Sequence, residues 1–292
     1  MTLKQKLDAG QFAVTCELAP PKGIDTAKLK ECAKAIKGRV DAVNTTDFQS
    51  AVVRMSSLGA SLILLQEGVE PVMQITGRDR NRIAVQGELL SAGALGIKNI
   101  LALTGDHPYF GDHKTTKPVF ELDSVNILQI ASTLMEGKDF AGNPLNKAPE
   151  FYLGASVTPF YDPVELQIIK MQKKIKAGAK FFQTQAVYDP QILKNFKQKT
   201  EEHHIQTKIL AGIIPLKSPG MANYMNKNVP GIHVPEEIIE RLRKAQDKQK
   251  EGLKIAAELI QQIKEQNLAD GVHIMAIGAE ENVPLLLDLS NL

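Results

Sequence analysis

The sequence predicts an α/β protein built as a single (β/α)8 barrel of the TIM type, spanning residues 1–292. Short apolar runs alternate with longer helical segments eight times along the 292 residues, and a barrel of this type contains eight strand–helix units. The runs are apolar at nearly every position, which is typical of parallel strands buried on both faces. A doubly wound open sheet is the alternative, but its usual glycine-rich turn, G-x-G-x-x-G after the first strand, is absent.

The strands are predicted wherever a short apolar run lies between polar, glycine or proline residues. In chain order, these runs cover residues 12–18, 40–45, 71–76, 99–103, 151–157, 180–185, 208–213 and 271–275. Pro20 and Pro21 follow the first run and stiffen the turn after it. Each strand end is therefore placed to within a few residues.

The helices are predicted where apolar residues recur at helical spacing between the strands. They cover residues 25–36, 54–66, 79–94, 124–136, 163–177, 190–203 and 281–287, with further helical pieces after the seventh strand that reach residue 265. Asp25 is suited to cap the first of them. Residues 236–254 carry charges of alternating sign, as on a solvated helix face. The loop at 105–118 is long enough to lie over a site at the barrel mouth.

The composition excludes several classes of protein. Lys and Arg number 35 against 33 Asp and Glu, a net charge of +2, without the basic excess of a nucleic-acid-binding protein. Two cysteines, Cys16 and Cys32, cannot build a disulfide scaffold and suit a reducing compartment. The N-terminus lacks the apolar run of a signal peptide, and no apolar stretch is long enough to span a bilayer. We therefore expect a cytoplasmic protein that binds neither membrane nor nucleic acid.

Polar residues gather at the predicted C-terminal ends of the strands, where barrels of this type build their active sites. Amides and hydroxyls dominate this set, and carboxylates are few. The set comprises Glu17, residues 44–47, Gln74, Thr76, residues 104–106, Thr158, Gln183, Gln185 and Gly212.

Glu17 is the most informative of these residues. Partial burial at the end of an apolar strand would raise the pKa of its carboxyl and make it a general acid near neutral pH. A solvated or salt-bridged carboxylate is the structural alternative, and position in the sequence favours neither interpretation.

Asp106 and two glutamines are further candidates. Asp106 follows Gly105, which lets the backbone approach a ligand closely, although local sequence alone favours a turn or helix-cap role for this aspartate. Strand alternation places Gln183 and Gln185 on one face and Thr184 on the other. The two amides offer a donor and an acceptor to a heterocycle, or else satisfy neighbouring backbone groups.

The histidines and cysteines predict neither a metal site nor a nucleophile. His107, His113 and the pair at 203–204 match no usual ligand spacing, so no metal site is predicted. Cys16 alternates with Glu17 and faces the opposite side of the strand, and Cys32 lies on a helix. Both cysteines are predicted to pack rather than to act as nucleophiles.

Four segments resemble motifs of the methylenetetrahydrofolate reductase family. ELAPP at 17–21 resembles the E-x-x-P-P that closes the first strand, and LALTGDHP at 101–108 resembles the L-x-x-G-D-x-P after the fourth. AGAKFFQTQ at 177–185 resembles A-G-A-x-x-x-x-T-Q, and AGIIP at 211–215 resembles P-G-I-x-P. The matches occur in the family's order and extend over nearly the whole chain, so together they are specific.

The resemblance implies a flavin-containing oxidoreductase that reduces 5,10-methylenetetrahydrofolate to 5-methyltetrahydrofolate. By resemblance, Glu17 is the general acid, Asp106 lies beside the flavin and the pterin, and Gln185 contacts the folate. Gly105 would lie against the flavin, and Lys174 near its phosphates. The remaining strand-end side chains are expected to complete these sites, with Thr46, Gln74, Thr104, His107 and Thr158 on the flavin and Gln183 on the folate.

Three departures from the family pattern alter the expected flavin contacts. Thr104 stands where many members carry Arg before the Gly-Asp pair, and AVY at 186–188 stands where many carry aromatic residues. The third strand, at 71–76, lacks the His that often contacts flavin. We expect FAD, with FMN as the alternative, and NADH or NADPH as the electron donor.

Other hypotheses stay open at this point. A partner subunit with an iron–sulfur or zinc centre would feed electrons to the flavin, and a flavin-free pterin-binding barrel would transfer a methyl group. A Schiff-base aldolase is disfavoured because no predicted strand carries a Lys deep in its run. A non-catalytic scaffold would not explain the polar strand ends. The sequence leaves open whether the chain forms a homo-oligomer.

Overall fold

A computed structural model describes residues 1–292 and contains a closed barrel of eight parallel strands. This confirms the predicted (β/α)8 fold. The strands pair in chain order, and the last pairs with the first. They are β1 (Ala13–Leu18), β2 (Ala42–Thr45), β3 (Pro71–Thr76), β4 (Asn99–Leu103), β5 (Tyr152–Val157), β6 (Phe181–Ala186), β7 (Lys208–Ile213) and β8 (Gly271–Ile274).

Helices surround the barrel and cover its outer surface. None of them is both long enough and apolar enough to cross a membrane. They are α1 (Leu3–Asp8), α2 (Ala27–Ile36), α3 (Ser57–Gln66), α4 (Arg82–Ala94), α5 (Ser124–Met135), α6 (Glu165–Lys176), α7 (Pro190–Glu202), α8 (Pro219–Asn228), α9 (Glu236–Lys244), α10 (Lys248–Glu265) and α11 (Val283–Leu289).

Several helices begin later than the sequence predicts, because capping side chains set their first turns. Helix α3 starts three residues late, where the Ser56 hydroxyl accepts a hydrogen bond from the Gly59 N–H at 3.2 Å. Helix α4 also starts three residues late, after Asn81, whose side-chain oxygen accepts two N–H groups of the first turn. The N-cap of α2 is Thr26, not the predicted Asp25, although the Asp25 carboxylate accepts the Ala27 N–H at 2.9 Å.

Helix α1 is absent from the predicted elements, because six residues carry too little periodicity to be recognised. Its Leu3 and Leu7 are fully buried and close the N-terminal end of the barrel. They cap an apolar layer inside the barrel, in which the rings of Tyr152 and Phe181 stack with centroids 5.1 Å apart. This packed layer leaves only the opposite end of the barrel open to ligands.

A polar layer lies directly above the apolar one, toward the C-terminal ends of the strands. Thr15, Asn44, Gln183 and His273 are all buried there, and each side chain has a hydrogen-bond partner. The outward-facing residues of the strands pack instead against the helices in two large apolar clusters. The barrel interior therefore changes from apolar to polar as it approaches its open end.

The tight packing of the apolar layer generates a stability prediction. A Cβ atom on Gly154 would lie 2.3 Å from Cζ of the Phe181 ring, so we expect Gly154→Ala to destabilise the fold by about 1–3 kcal/mol through overpacking. Gly87→Ala is the matched control. It lies exposed in α4 with nothing within 4 Å of the added Cβ, and it should stabilise by about 0.5–1 kcal/mol through helix propensity.

Urea unfolding followed by far-UV circular dichroism measures both variants. An unchanged midpoint for Gly154→Ala would show that the ring of Phe181 does not fill the barrel as described.

Candidate active site

A cavity of about 380 Å³ opens at the C-terminal ends of the strands, and we call it the main cavity. Its position is the one that the sequence predicts for the active site. Its lining is mostly polar and comes from β1 to β6, β8 and the loops that follow them. The lining residues are Glu17, Asp47, Phe48, Gln49, Gln74, Thr76, Arg78, Leu101, Leu103, Thr104, Gly105, Asp106, Ser124, Ser156, Lys174, Gln183, Thr184, Gln185, His273 and Met275.

Glu17 places its carboxyl in the main cavity from the penultimate position of β1. Its side chain is 12% exposed, and burial raises the pKa of the carboxyl from about 4.5 to about 7. Gln74 donates to Oε1 at 3.0 Å and Gln49 to Oε2 at 3.4 Å, which offsets part of the cost of burial. The carboxyl therefore exchanges a proton near neutral pH, as a general acid requires.

His273 on β8 lies next to Glu17. It was not among the predicted site residues. Its Nε2 lies 4.0 Å from Glu17 Oε1. Burial lowers the pKa of His273 to about 3, so the imidazole is neutral and the two groups form no ion pair. Nδ1 lies 2.9 Å from Thr15 Oγ1, and Gln183 donates to the same hydroxyl at 3.4 Å. His273 could have been noticed in the sequence as a polar residue within the apolar run at 271–275.

A buried ion pair fixes the ends of β2 and β3. Asp47 accepts two hydrogen bonds from Arg80, at 2.7 and 3.0 Å, and two from the backbone and hydroxyl of Thr76. Arg80 also pairs with Glu88 of α4. The four acceptor bonds leave the Asp47 carboxylate fully engaged, so its role in the site is structural. Asp47 was among the strand-end residues 44–47, but its partners could not be identified from the sequence.

Arg78 lines the main cavity and is only 2% exposed. Its Nε and Nη2 both donate to the Asp79 carboxylate. Nη1 donates to the carbonyl of Asp106 at 3.4 Å, and Nη2 also donates to the carbonyl of Asp47 at 3.4 Å. These contacts hold the loop after β4 against the loop after β2. Arg78 was not among the predicted site residues, although its charge so soon after a buried strand pointed to this region.

Gly105 and Asp106 line the cavity at the start of the loop after β4, as expected. Gly105 has a φ of +92°, and a Cβ there would lie 3.1 Å from the Cβ atoms of Thr76 and Arg78. Only glycine therefore fits this position without strain. Asp106 is exposed, with its side chain available to a ligand. Thr104 also lines the cavity, and its hydroxyl accepts the N–H of Ser124 at 3.3 Å.

Lys174 reaches the main cavity from α6, beside Ser124 and Ser156. Its Nζ donates to the carbonyl of Ser156 at 2.7 Å. Burial, together with the nearby charge of Lys170, lowers the pKa of Lys174 to about 8. No carboxylate lies within 4.0 Å of this ammonium group, so it is available to an anion at the edge of the cavity.

Strand β6 departs from the regular alternation that the sequence analysis assumed. Its register with β7 shifts between Gln183 and Ala186, which is a bulge. The Thr184 hydroxyl accepts the Gly212 N–H at 2.8 Å, and Thr184 lines the main cavity together with Gln183 and Gln185. The expectation that Thr184 faces away from the two glutamines is therefore wrong, because the bulge breaks the two-residue period.

Three expected flavin contacts do not line the main cavity. Thr46 is buried, and its hydroxyl has no hydrogen-bond partner. His107 is exposed, stacks on Phe120 and caps a short 3₁₀ helix. Thr158 lies beside Gly231. The other expected residues, Gln74, Thr104, Gly105, Asp106, Lys174, Gln183 and Gln185, all line it with Glu17.

The two cysteines pack in the core as predicted. Cys16 is fully buried on the outer face of β1 and Cys32 nearly so on α2, in the same apolar cluster. Burial raises the pKa of both thiols, so neither has the thiolate character of a nucleophile.

The chain is similar to several known proteins. The chain matches the family model described as methylenetetrahydrofolate reductase over residues 2–291. Methylenetetrahydrofolate reductase 2 of Schizosaccharomyces pombe is 24% identical over 243 residues, which cover 80% of this chain and 37% of that protein. A probable methylenetetrahydrofolate reductase (NADPH) of Caenorhabditis elegans is 24% identical over 241 residues, covering 81% and 34%. The chain thus spans little more than a third of the length of these relatives.

A solved structure gives the same fold. It is an uncharacterized protein from Clostridium thermocellum that binds two copies of 5-methyl-5,6,7,8-tetrahydrofolic acid. It matches with a TM-score of 0.65 and 18% identity, covering 99% of this chain and 95% of that one. The family model extends over almost every residue, and the chain belongs to the methylenetetrahydrofolate reductase family.

Proposed function

We propose that the chain reduces 5,10-methylenetetrahydrofolate to 5-methyltetrahydrofolate by hydride transfer from a bound flavin, with Glu17 as the general acid. The observation that carries this proposal is the buried Glu17 carboxyl, whose pKa of about 7 lies in the range that acid catalysis needs at neutral pH. Membership of the family supports the same reaction.

The reaction needs a proton at one defined atom. The methylene bridge between N5 and N10 must open to an N5 iminium cation before hydride can add, and opening requires protonation of N10. Protonated Glu17 can donate this proton, because Gln74 and Gln49 hold its two oxygens in the main cavity. The neutral His273 beside it adds no charge that would lower the pKa of Glu17.

Asp106 is suited to the charge that develops when the bridge opens. Its exposed carboxylate follows Gly105 at the edge of the main cavity, and the donation from Arg78 to its carbonyl fixes its backbone. A carboxylate held there would stabilise the iminium cation electrostatically. Gln183 and Gln185 supply amide donors and acceptors for the pterin ring.

The residues of the main cavity fit a flavin. Gln74 and the backbone of 104–106 offer hydrogen-bonding groups to a flat heterocycle, and Gly105 keeps that backbone free of a side chain. Lys174, with Ser124 and Ser156, offers a cation and hydroxyls to phosphate. When bound, the flavin supplies the hydride. We propose FAD in this role, with FMN as the alternative, because either carries a phosphate for Lys174.

NADH or NADPH is the proposed electron donor. A partner subunit with an iron–sulfur or zinc centre is the second candidate, and one feature favours it. Tyr109 and Phe110, on the loop that continues from Asp106, are 62% and 75% exposed, and exposed aromatic residues beside a site are typical of protein-binding surfaces.

The pKa of Glu17 predicts the pH dependence of folate reduction. A general acid must be protonated, so the single-turnover rate should be constant well below pH 7. Above the pKa of about 7, it should fall about tenfold per pH unit. Anaerobic stopped-flow mixing of the reduced flavoprotein with 5,10-methylenetetrahydrofolate measures this rate. A rate that rises through pH 7 would contradict the assignment.

Glu17→Gln is the matching variant. It should bind flavin and accept electrons normally, since neither step needs the acid, but reduce the folate about 10²–10⁴-fold more slowly. Flavin reduction by NADH or NADPH serves as the internal control. Near-normal folate reduction by this variant would refute the role of Glu17.

Lys174 should contribute to flavin affinity through the phosphate. Lys174→Met removes a partly buried charged donor and should raise the flavin dissociation constant by about 10- to 100-fold. Lys173→Met, on the exposed face of the same helix, should leave it unchanged. Quenching of flavin fluorescence by the apoprotein measures both, with FAD and FMN in separate titrations. Equal affinities for the two variants would contradict the contact.

A further inference from the structure

The buried polar layer of the barrel contains a histidine with one free nitrogen beside the Glu17 carboxyl. His273 lies on β8 in register with Thr15 of β1, and its side chain is only 3% exposed. Its Nδ1 contacts the Thr15 hydroxyl at 2.9 Å. Its Nε2 lies 4.0 Å from Glu17 Oε1 and has no hydrogen-bond partner in the protein. Nε2 is therefore the ring nitrogen that is available to act on the carboxyl.

The contacts of Thr15 determine which nitrogen of His273 carries the proton. The Thr15 hydroxyl has one hydrogen to donate. Its two nearby acceptors are His273 Nδ1 at 2.9 Å and the carbonyl of Val272 at 3.4 Å, and the shorter contact is the better hydrogen bond. When the hydroxyl donates to Nδ1, the proton of the neutral imidazole resides on Nε2. His273 therefore presents an N–H group to Glu17.

A reciprocal pair of amides holds the Thr15 hydroxyl in this orientation. Asn44 donates to Gln183 Oε1 at 2.7 Å, and Gln183 donates to Asn44 Oδ1 at 3.0 Å. Gln183 also donates to the Thr15 oxygen at 3.4 Å, so this oxygen accepts on one side and donates toward His273 on the other. The four residues come from β1, β2, β6 and β8. The closed barrel thus sets the tautomer of His273.

The two oxygens of Glu17 have different surroundings. Oε1 accepts from Gln74 at 3.0 Å and is the oxygen near His273. Oε2 has only the longer contact with Gln49 at 3.4 Å. The proton of the neutral acid therefore belongs on Oε2, from which it can move to the substrate, while the donors gather around Oε1. In this arrangement His273 neither gains nor loses a proton.

We propose that His273 is a positioning residue whose Nε2–H closes on Oε1 and stabilises the Glu17 carboxylate that remains after the proton has moved to the substrate. This inference rests on the proposed function of Glu17 as the general acid. A movement of about 1 Å brings Nε2 from its present distance to the usual length of a hydrogen bond. A hydrogen bond to the charged form makes an acid stronger, so His273 offsets part of the effect of burial on Glu17.

No charged neighbour of Glu17 takes this role. Glu280, after β8, is the charged group that shifts the pKa of Glu17, and it raises this pKa. The buried Cys16 thiol on β1 stays neutral, because burial raises its own pKa. The other charged residues that line a cavity together with Glu17 do not contribute to the shift: Asp25, Lys28, Asp47, Arg54, Arg78, Asp106 and Lys174. Stabilisation of the carboxylate is thus left to neutral donors.

The tautomer can be measured directly by nitrogen-15 NMR of the wild-type protein labelled at histidine, with His273→Asn to assign the signal. We expect a neutral imidazole at neutral pH with its proton on Nε2, because burial lowers the pKa of His273 to about 3. A proton on Nδ1, or an imidazolium at neutral pH, would overturn the proposal.

The effect on Glu17 can be measured by carbon-13 NMR of glutamate-labelled protein without folate, with Glu17→Gln to assign the signal. His273→Asn keeps a polar group for Thr15 but does not reach Glu17, and it should raise the pKa of Glu17 by about one unit, a tenfold change in acidity. His273→Gln places an amide N–H near the position of Nε2 and should restore the wild-type pKa. Loosened packing that admitted water would lower the pKa instead.

Thr15 provides an independent pair of variants. Thr15→Val removes the hydroxyl that fixes the tautomer, so it should raise the pKa of Glu17 as His273→Asn does. Thr15→Ser keeps the hydroxyl and should leave this pKa at its wild-type value. The shifts caused by Thr15→Val and His273→Asn should not add in the double variant, because both changes remove the same donor. Fully additive shifts would contradict the proposed connection between Thr15 and Glu17.

In single-turnover folate reduction, His273→Asn should move the pH at which the rate falls upward by the same unit and lower the rate on the acidic plateau, because a weaker acid transfers its proton more slowly. A lower plateau with an unmoved pH profile is the result of a merely structural role and would contradict the proposal.

The contrary outcomes separate this inference from the proposed function. An unchanged pKa of Glu17 in His273→Asn, with the wild-type carboxyl titrating near 7, would overturn the role of His273 and leave the proposed function standing. Equal shifts in His273→Asn and His273→Gln would assign the effect to packing and overturn the role as well. If neither histidine variant folds, the wild-type tautomer and the Thr15 pair decide. A wild-type carboxyl that titrates at its ordinary value of about 4.5 would instead overturn Glu17 as the general acid.

Discussion

The site depends on the burial of one carboxyl among neutral neighbours. Glu17 contacts Gln74 and Gln49 and lies close to a neutral His273, so no cation offsets its desolvation. The resulting shift of its pKa from 4.5 to about 7 makes the folded state less stable by about 3 kcal/mol above pH 7. The effect is destabilising because the pKa of Glu17 is higher in the folded protein than in the unfolded chain. Stability is therefore lost as the pH rises from the unfolded pKa through the folded pKa. The fold tolerates this cost at the position where a proton donor is useful.

The cationic side chains near the site are paired with other carboxylates, so Glu17 has no cationic partner. Arg78 lines the main cavity, and Arg80 lies two residues further along the chain, but each is paired with an aspartate, Asp79 and Asp47 respectively. The Asp47–Arg80 pair joins the ends of β2 and β3, and Arg78 holds the loops after β2 and β4 together by donating to the carbonyls of Asp47 and Asp106. Neither arginine lowers the pKa of Glu17. Below them, the apolar layer closed by α1 keeps water out of the other end of the barrel. With these cations paired, burial raises the pKa of Glu17, and the nearby charge of Glu280 adds to the shift.

Much of the architecture could be predicted from the sequence, because each strand is a compact apolar run with its polar residues at one end. The position of Glu17 and the Gly105–Asp106 turn followed from that pattern. Contacts between residues far apart in the sequence could not be predicted, because Asp47 contacts Arg80, and His273 contacts Thr15, only when the barrel closes. The bulge at Gln183 also has no local signal, because it arises from the shifted register with β7.

The most direct test of the central claim is the anaerobic visible spectrum of the purified protein, before and after addition of 5-methyltetrahydrofolate. We expect the absorption of an oxidised flavin that bleaches on addition, as the methyl group returns its hydride to the cofactor. The absence of flavin absorption, even after reconstitution with FAD or FMN, would rule out the proposed reaction.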